Sequence, residues 1–193
     1  MINSCSDRPS LPTLKLLFLD TNALVKRFVF ERGHDILMWL LGSPEIVLAY
    51  NVHIVTSIHV CNEFPNTIAK MVAHCQISEA EAKGILARSK GYINAGHAGL
   101  HIVDTGPLPG FHGGRDTSPE ELFIKHALKE RDRTDCAIMA SIVNYLRYAT
   151  GGSLPHVVTS DKGFIKVVKK EGFTTINPEK ITIADLKGYL KSL

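Results

Sequence analysis

A chain of 193 residues, 45% hydrophobic and 21% charged, has the length of one domain and a globular composition, which excludes a fibrous or wholly disordered protein. Its 22 Lys and Arg against 19 Asp and Glu leave a net charge of +3. That excludes a histone-like binder but leaves room for nucleic acid if the basic groups share one face.

In chain order, residues 1–13 are polar, hold Pro9 and Pro12, and read as a flexible lead-in to a single domain over 14–193. Leu14–Asp20 (LKLLFLD) is an apolar run ending in a carboxylate, as expected of a central parallel strand buried on both faces. Asn22 is a candidate cap for a helix carrying Ala23, Leu24 and Phe28 and breaking near Gly33. A second helix over Asp35–Leu41 is predicted to stop at Gly42 and Pro44. Val52–Thr56 reads as the next strand. Ser57 would cap a helix over Ile58–His74, which Pro65 should kink. Ser78 and Glu81 have capping-box spacing, so a helix follows over Glu79–Tyr92. Leu100–Val103 is a short strand. The Gly- and Pro-rich insertion near 105–118 is the one long loop candidate. Ser118, Pro119 and Glu121 then announce a helix, and Arg133–Tyr148 is another, ended by Gly151–Gly152. His156–Thr159 is a strand, Gly163–Lys170 a helix, Phe173–Ile176 a last strand and Ile183–Leu193 a closing helix. Strands alternating with helices imply a mainly parallel α/β sheet, whose ligands bind beyond the carboxyl ends of the strands.

Four cysteines, Cys5, Cys61, Cys75 and Cys136, are too few for a secreted disulfide scaffold, and none has the spacing of a zinc ribbon or redox pair. Cys61 and Cys136 read as small packing residues. No run approaches 18 apolar residues and the first twelve lack a signal-peptide core, so a cytoplasmic protein with no membrane partner is expected.

Asp20 ends the first strand, Glu63 lies early in the helix after the second, Asp135 sits in a first helical turn and Asp161 follows a strand directly. All could converge on one sheet edge. Converging carboxylates repel unless a hard divalent cation with oxygen ligands stands between them. Mg²⁺ or Mn²⁺, as one or two ions, would then activate water and neutralise a phosphodiester. Taken singly, Asp135 and Asp161 read equally well as helix caps.

Here LLFLDTNAL (Leu16–Leu24), TSIHVCNEF (Thr56–Phe64), TDCAIMASI (Thr134–Ile142) and VVTSDKGF (Val157–Phe164) resemble, in order, the four motifs of PIN-domain ribonucleases, including the toxin-type (VapC-like) members. The resemblance implies an α/β/α three-layer sandwich and a metal-dependent endoribonuclease hydrolysing single-stranded RNA. It places Asp20, Glu63, Asp135 and Asp161 at the catalytic, metal-binding positions, and Asn22, Thr159 and Ser160 at supporting polar ones. It further implies homodimerisation and an antitoxin-like inhibitor protein. The Gly/Pro insertion departs from the compact toxin-type members.

Lys162, Lys166, Lys169 and Lys170 surround the helix after Asp161, and Lys26 and Arg27 lie just beyond Asp20. Lys162, Lys166, Lys26 and Arg27 are candidate RNA contacts, although a solvated helix face is the commoner reason for lysines at such spacing. His97, His101 and His112 lack the spacing of a zinc site. Two rivals stand beside the nuclease. A non-catalytic RNA-binding or assembly module could use the same fold. A haloacid-dehalogenase-type phosphatase would use Asp20 as nucleophile, but it wants a second Asp where Asn22 stands.

Overall fold

The computed structural model describes residues 14–42, 44–94, 100–103, 117–126, 133–148 and 155–193. Five short segments rich in β-branched and large apolar residues form strands: β1 (Lys15–Leu19), β2 (Val52–Ser57), β3 (Leu100–Val103), β4 (His156–Val158) and β5 (Thr174–Ile176). Between and after them run α1 (Thr21–Lys26), α2 (His34–Gly42), α3 (Pro44–Tyr50), α4 (Ile58–Ala73), α5 (Glu79–Asn94), α6 (Pro119–His126), α7 (Arg133–Tyr148), α8 (Lys162–Lys170) and α9 (Ile183–Ser192).

The strands pair in the order β3-β2-β1-β4-β5, every pair parallel. Helices cover the sheet in a three-layer α/β/α sandwich, as the sequence led us to expect. β1 is central, and Leu17, Phe18 and Leu19 are wholly buried, which explains why its sequence shows no alternation. Each such side chain removed from water stabilises the fold by about 1.5–3 kcal/mol. The chain leaves β1 toward β2 on one side and reaches β4 on the other, so the connection reverses at β1. In a parallel sheet that reversal opens a crevice at the carboxyl ends of the two strands.

Local signals account for most boundaries. Ser57 caps α4 through Val60 N–H at 3.3 Å. Glu81 N–H donates to Ser78 Oγ (3.2 Å) while Ser78 N–H donates to the Glu81 carboxylate (2.7 Å), and Ser118 with Glu121 repeats this exchange. The differences are instructive. α1 ends at Lys26, before Phe28. Gly33 turns the chain into α2 with φ of +87°, where a Cβ would meet the Pro178 backbone at 2.9 Å; only glycine suits both demands. Pro44 was expected to end helical structure; it opens α3 instead, at the one helical position where a missing N–H is harmless. Helix α4 runs continuously through Pro65. The lead-in over 1–13, the insertion apart from its last two residues, and Gly151–Gly152 lie outside the described residues. Among those described, no helix is long and apolar enough to cross a membrane.

Candidate active site

Asp20 is the first residue past β1 and the N-cap of α1. Its Oδ1 accepts from Ala23 N–H at 2.7 Å, so the cap belongs to Asp20 and not, as expected, to Asn22, which is the second residue of the helix. The other carboxylate oxygen accepts the hydroxyl proton of Thr159, which directly follows β4. Asp20 N–H in turn donates to Val158 O at 3.3 Å. The strand reversal thus brings Asp20 and Thr159 into contact across the crevice. Both are buried, and buried Thr56 closes the floor by donating to Leu19 O at 2.9 Å.

Burial pushes the Asp20 carboxyl up to about 7, from 3.8. The hydrogen bonds from Thr159 and Ala23 oppose that rise, and the charges of Asp161 and Glu63 add to it. Two of the other three expected carboxylates therefore act on Asp20 through their charge. Asp161 also behaves as the plain cap it could have been: its Oδ1 accepts from Gly163 N–H (2.6 Å) and Phe164 N–H (2.8 Å) and so starts α8. Its own N–H donates to Thr159 Oγ1 at 3.0 Å, tying the β4 loop to the Asp20 partner. Glu63, half-buried on α4, accepts the hydroxyl of Thr21. Thr21 was not singled out from sequence, although it directly follows Asp20. Asp135 is half-buried in the first turn of α7 and is not among the charges that act on Asp20.

The donor set suits Mg²⁺ or Mn²⁺: it offers oxygen ligands only, and the Asp20 carboxyl is held back from ionising chiefly by burial and secondarily by two acidic charges, a penalty that a cation would offset. Its side chains are directed to Thr159, Thr21 and backbone N–H groups, and among the described residues no three His, Cys, Asp or Glu side chains are gathered to hold an ion.

The expected basic contacts divide. Lys162 and Lys166 are exposed on α8, opposite buried Phe164, Val167 and Val168. Lys26 is buried instead, paired with Glu31 (2.9 Å) and Glu179 (2.7 Å). Burial alone would lower the Lys26 amine, but the hydrogen bonds of Glu179 and Glu31 outweigh it and raise it. Glu179 also bonds Ser160, so this pair network reaches the residue before Asp161. Arg27 is not an open RNA contact either: its guanidinium lies against the Phe28 and Tyr92 rings and donates to Met38 Sδ. Cys136 is buried, and burial pushes the Cys61 thiol up to about 11, which fits packing and not reactivity.

Beside Glu63 opens a cleft of about 400 Å³, walled by His59, Asn62 and Asn66 of α4 and by Arg133 and Thr134 of α7. None of these except Glu63 was a sequence candidate.

No family model and no curated protein matches the chain. Among solved structures it is similar to the crystal structure of VapBC2 from Rickettsia felis bound to a DNA fragment from their promoter. That likeness has a TM-score of 0.51 and 18% identity, over 84% of this chain and 98% of that one. It is also similar to the crystal structure of FitAcB from Neisseria gonorrhoeae, with a TM-score of 0.51 and 16% identity, over 86% and 99%. Likeness at this identity carries architecture alone. The PIN-ribonuclease resemblance is corrected accordingly: four short motifs meet no family model, and what the chain shares with these two complexes is a fold, not membership of a toxin-type ribonuclease family.

Proposed function

We propose that the chain is a metal-dependent hydrolase of phosphodiester bonds that acts as an endoribonuclease on single-stranded RNA. The observation that carries this reading is Asp20: a carboxyl at the strand reversal, fixed by Thr159 and Ala23, which burial pushes up to about 7 with a smaller push from the charges of Asp161 and Glu63. A structural cap has no need of two further acids in its field. Asp20, Glu63, Asp161 and Asp135 would hold one or two Mg²⁺ or Mn²⁺ ions, whose chemistry is to neutralise phosphate charge and activate water. The chain's own part is orientation. Thr159 and Ala23 N–H set the Asp20 carboxylate, Thr21 sets Glu63, and the α8 cap sets Asp161. Exposed Lys162 and Lys166 draw the phosphate chain toward this edge.

The two complexes of similar fold are toxin–antitoxin assemblies. They support a role for this chain in such a pair, with an antitoxin-like protein partner and self-association.

The test is cleavage of a mixed single-stranded RNA, with DNA of the same sequence beside it, by wild type and Asp20→Asn in Mn²⁺, Mg²⁺ and EDTA. Wild type is expected to cut RNA with metal only, and Asp20→Asn to lose at least about 100-fold in rate. Equal cleavage by both proteins would sink the assignment. A second reading, a non-catalytic RNA-binding module, draws support from the lack of a gathered three-ligand group among the described residues. It predicts RNA binding without cleavage in any metal.

A further inference from the structure

The cleft beside Glu63 has a chemically selective lining. His59, Asn62, Glu63 and Asn66 fall at i, i+3, i+4 and i+7 and share one face of α4. Asn62 and Asn66 are exposed. Arg133, Thr134 and Ala137 of α7 form another wall, and Pro119 and Glu120 of α6 complete the lining. A volume of about 400 Å³ lies within the range of small-ligand sites. Its charges are mixed, Glu63 and Glu120 against Arg133, so it is not built as a plain phosphate channel. What it offers is two amides, each with paired donors and an acceptor, an imidazole face and one guanidinium. Amides pair with base edges, an imidazole stacks on an unpaired base, and a guanidinium grips a flanking phosphate.

We propose that this cleft is a nucleotide-reading subsite. It takes one unpaired nucleotide of the RNA next to the scissile phosphate, with Asn62 and Asn66 determining which base is accepted. His59 stacks on that base and Arg133 holds its phosphate. Glu63 lines this cleft and its charge acts on Asp20, so the two sites share that residue. The inference rests on the nuclease reading for where the cut falls, but not for base recognition itself.

The experiment pairs two readouts. Cut ends are sequenced after digestion of a random single-stranded RNA pool by wild type, Asn62→Ala/Asn66→Ala and Asn62→Asp. Binding of short labelled homopolymers is measured by fluorescence anisotropy in EDTA. Both asparagines are exposed and alanine is the better helix former, so the double variant should fold; its melting temperature checks this. Wild type is expected to prefer one base at one position beside the cut and to bind the matching homopolymer best. The double variant should lose about tenfold of that discrimination in both readouts. Asn62→Asp, which exchanges donors for acceptors, should shift the preference toward bases presenting an amino group. A wild type that cuts without base preference, or variants that keep the wild-type preference, overturns the subsite and leaves the nuclease standing. A wild type that cuts nothing, yet binds single strands with an Asn62- and Asn66-dependent base preference, upholds the subsite and overturns the nuclease. Neither cutting nor binding overturns both.

Discussion

Asp20 carries a conflict that its neighbours only partly resolve. As a cap it gains from being ionised beside the α1 N-terminus, and as a buried group facing Asp161 and Glu63 it loses more, so its carboxyl rises from 3.8 to about 7. A raised acid binds its proton more readily folded than unfolded, so stability falls as pH climbs through that window and the cost is complete above about 7. Asp20→Asn removes the charge yet keeps an acceptor for Ala23 N–H, since asparagine caps as well as aspartate does. In EDTA at about pH 8 the variant should therefore melt at least about 3 °C higher than wild type, one pKa unit being worth about 1.4 kcal/mol and each kcal/mol about 2–4 °C in a chain of this size. The gap should close toward pH 4 and shrink when excess Mn²⁺ is added to the wild type. Identical melting curves at pH 8 would mean that the buried charge is no burden. A gain in stability with loss of cleavage marks a functional acid, where a structural one would lose both.

At the scale of elements, α6 depends on anchors at both ends, because Leu122 is its one fully buried core residue. At its start the Asn144 amide of α7 clasps Thr117, accepting from its N–H (2.9 Å) and donating to its carbonyl (3.1 Å). At its end Lys125 and His126 converge on Glu171, which caps α8. Burial alone would raise Glu171, but the bonds from Lys125 and His126 outweigh it and hold the carboxyl below 4.5. For a depressed acid the contribution is present above the unfolded value and disappears as pH falls through the folded one. Lys125 is largely exposed, so the clasp is screened and worth about 1 kcal/mol. Glu171→Gln should speed amide hydrogen exchange over the last turn of α6 about fivefold at neutral pH, and wild type should approach the variant below pH 4.5. Exchange indifferent to the substitution would mean that Leu122 packing alone seats the helix. The elements themselves were legible where signals are local: β1 from its unbroken apolar run, α4, α5 and α6 from Ser57, Ser78 with Glu81, and Ser118 with Glu121. Helix α3 was hidden because Pro44 serves both as a stop and as a first helical residue. The Glu171 clasp and the Lys26–Glu179 pair were hidden because each joins residues far apart in sequence, and a lysine one turn past an acid looks the same whether it faces phosphate or carboxylate.

For the molecule as a whole, parallel pairing decides where chemistry can occur. Every strand points its carboxyl end to one edge, so acids placed just after β1 and β4 meet there whatever their distance along the chain. That is why Asp20 and Asp161 were legible as a pair, while the reach of Glu63 depended on how α4 packs and Asp135 stayed outside the field of Asp20. Charge obeys the same logic. A net +3 is too small to hold RNA by itself, so under the proposed nuclease function that task falls to local groups, and the exposed lysines of α8, which starts at that edge, are the candidates. Each phosphate contact to a single strand should add about 0.7 to the slope of log binding constant against log salt. Lys162→Ala/Lys166→Ala should therefore weaken single-stranded RNA binding about evenly across sequences and flatten that slope by about 1.4. Lys26→Ala should leave the slope alone and instead destabilise the fold by about 1–3 kcal/mol, since it strands Glu31 and Glu179 without their cation. Binding isotherms across a salt series, with melting curves beside them, separate the two effects. A slope that the α8 double variant leaves unchanged would put the phosphate track on another face, and α8 would then carry its lysines only for solvation.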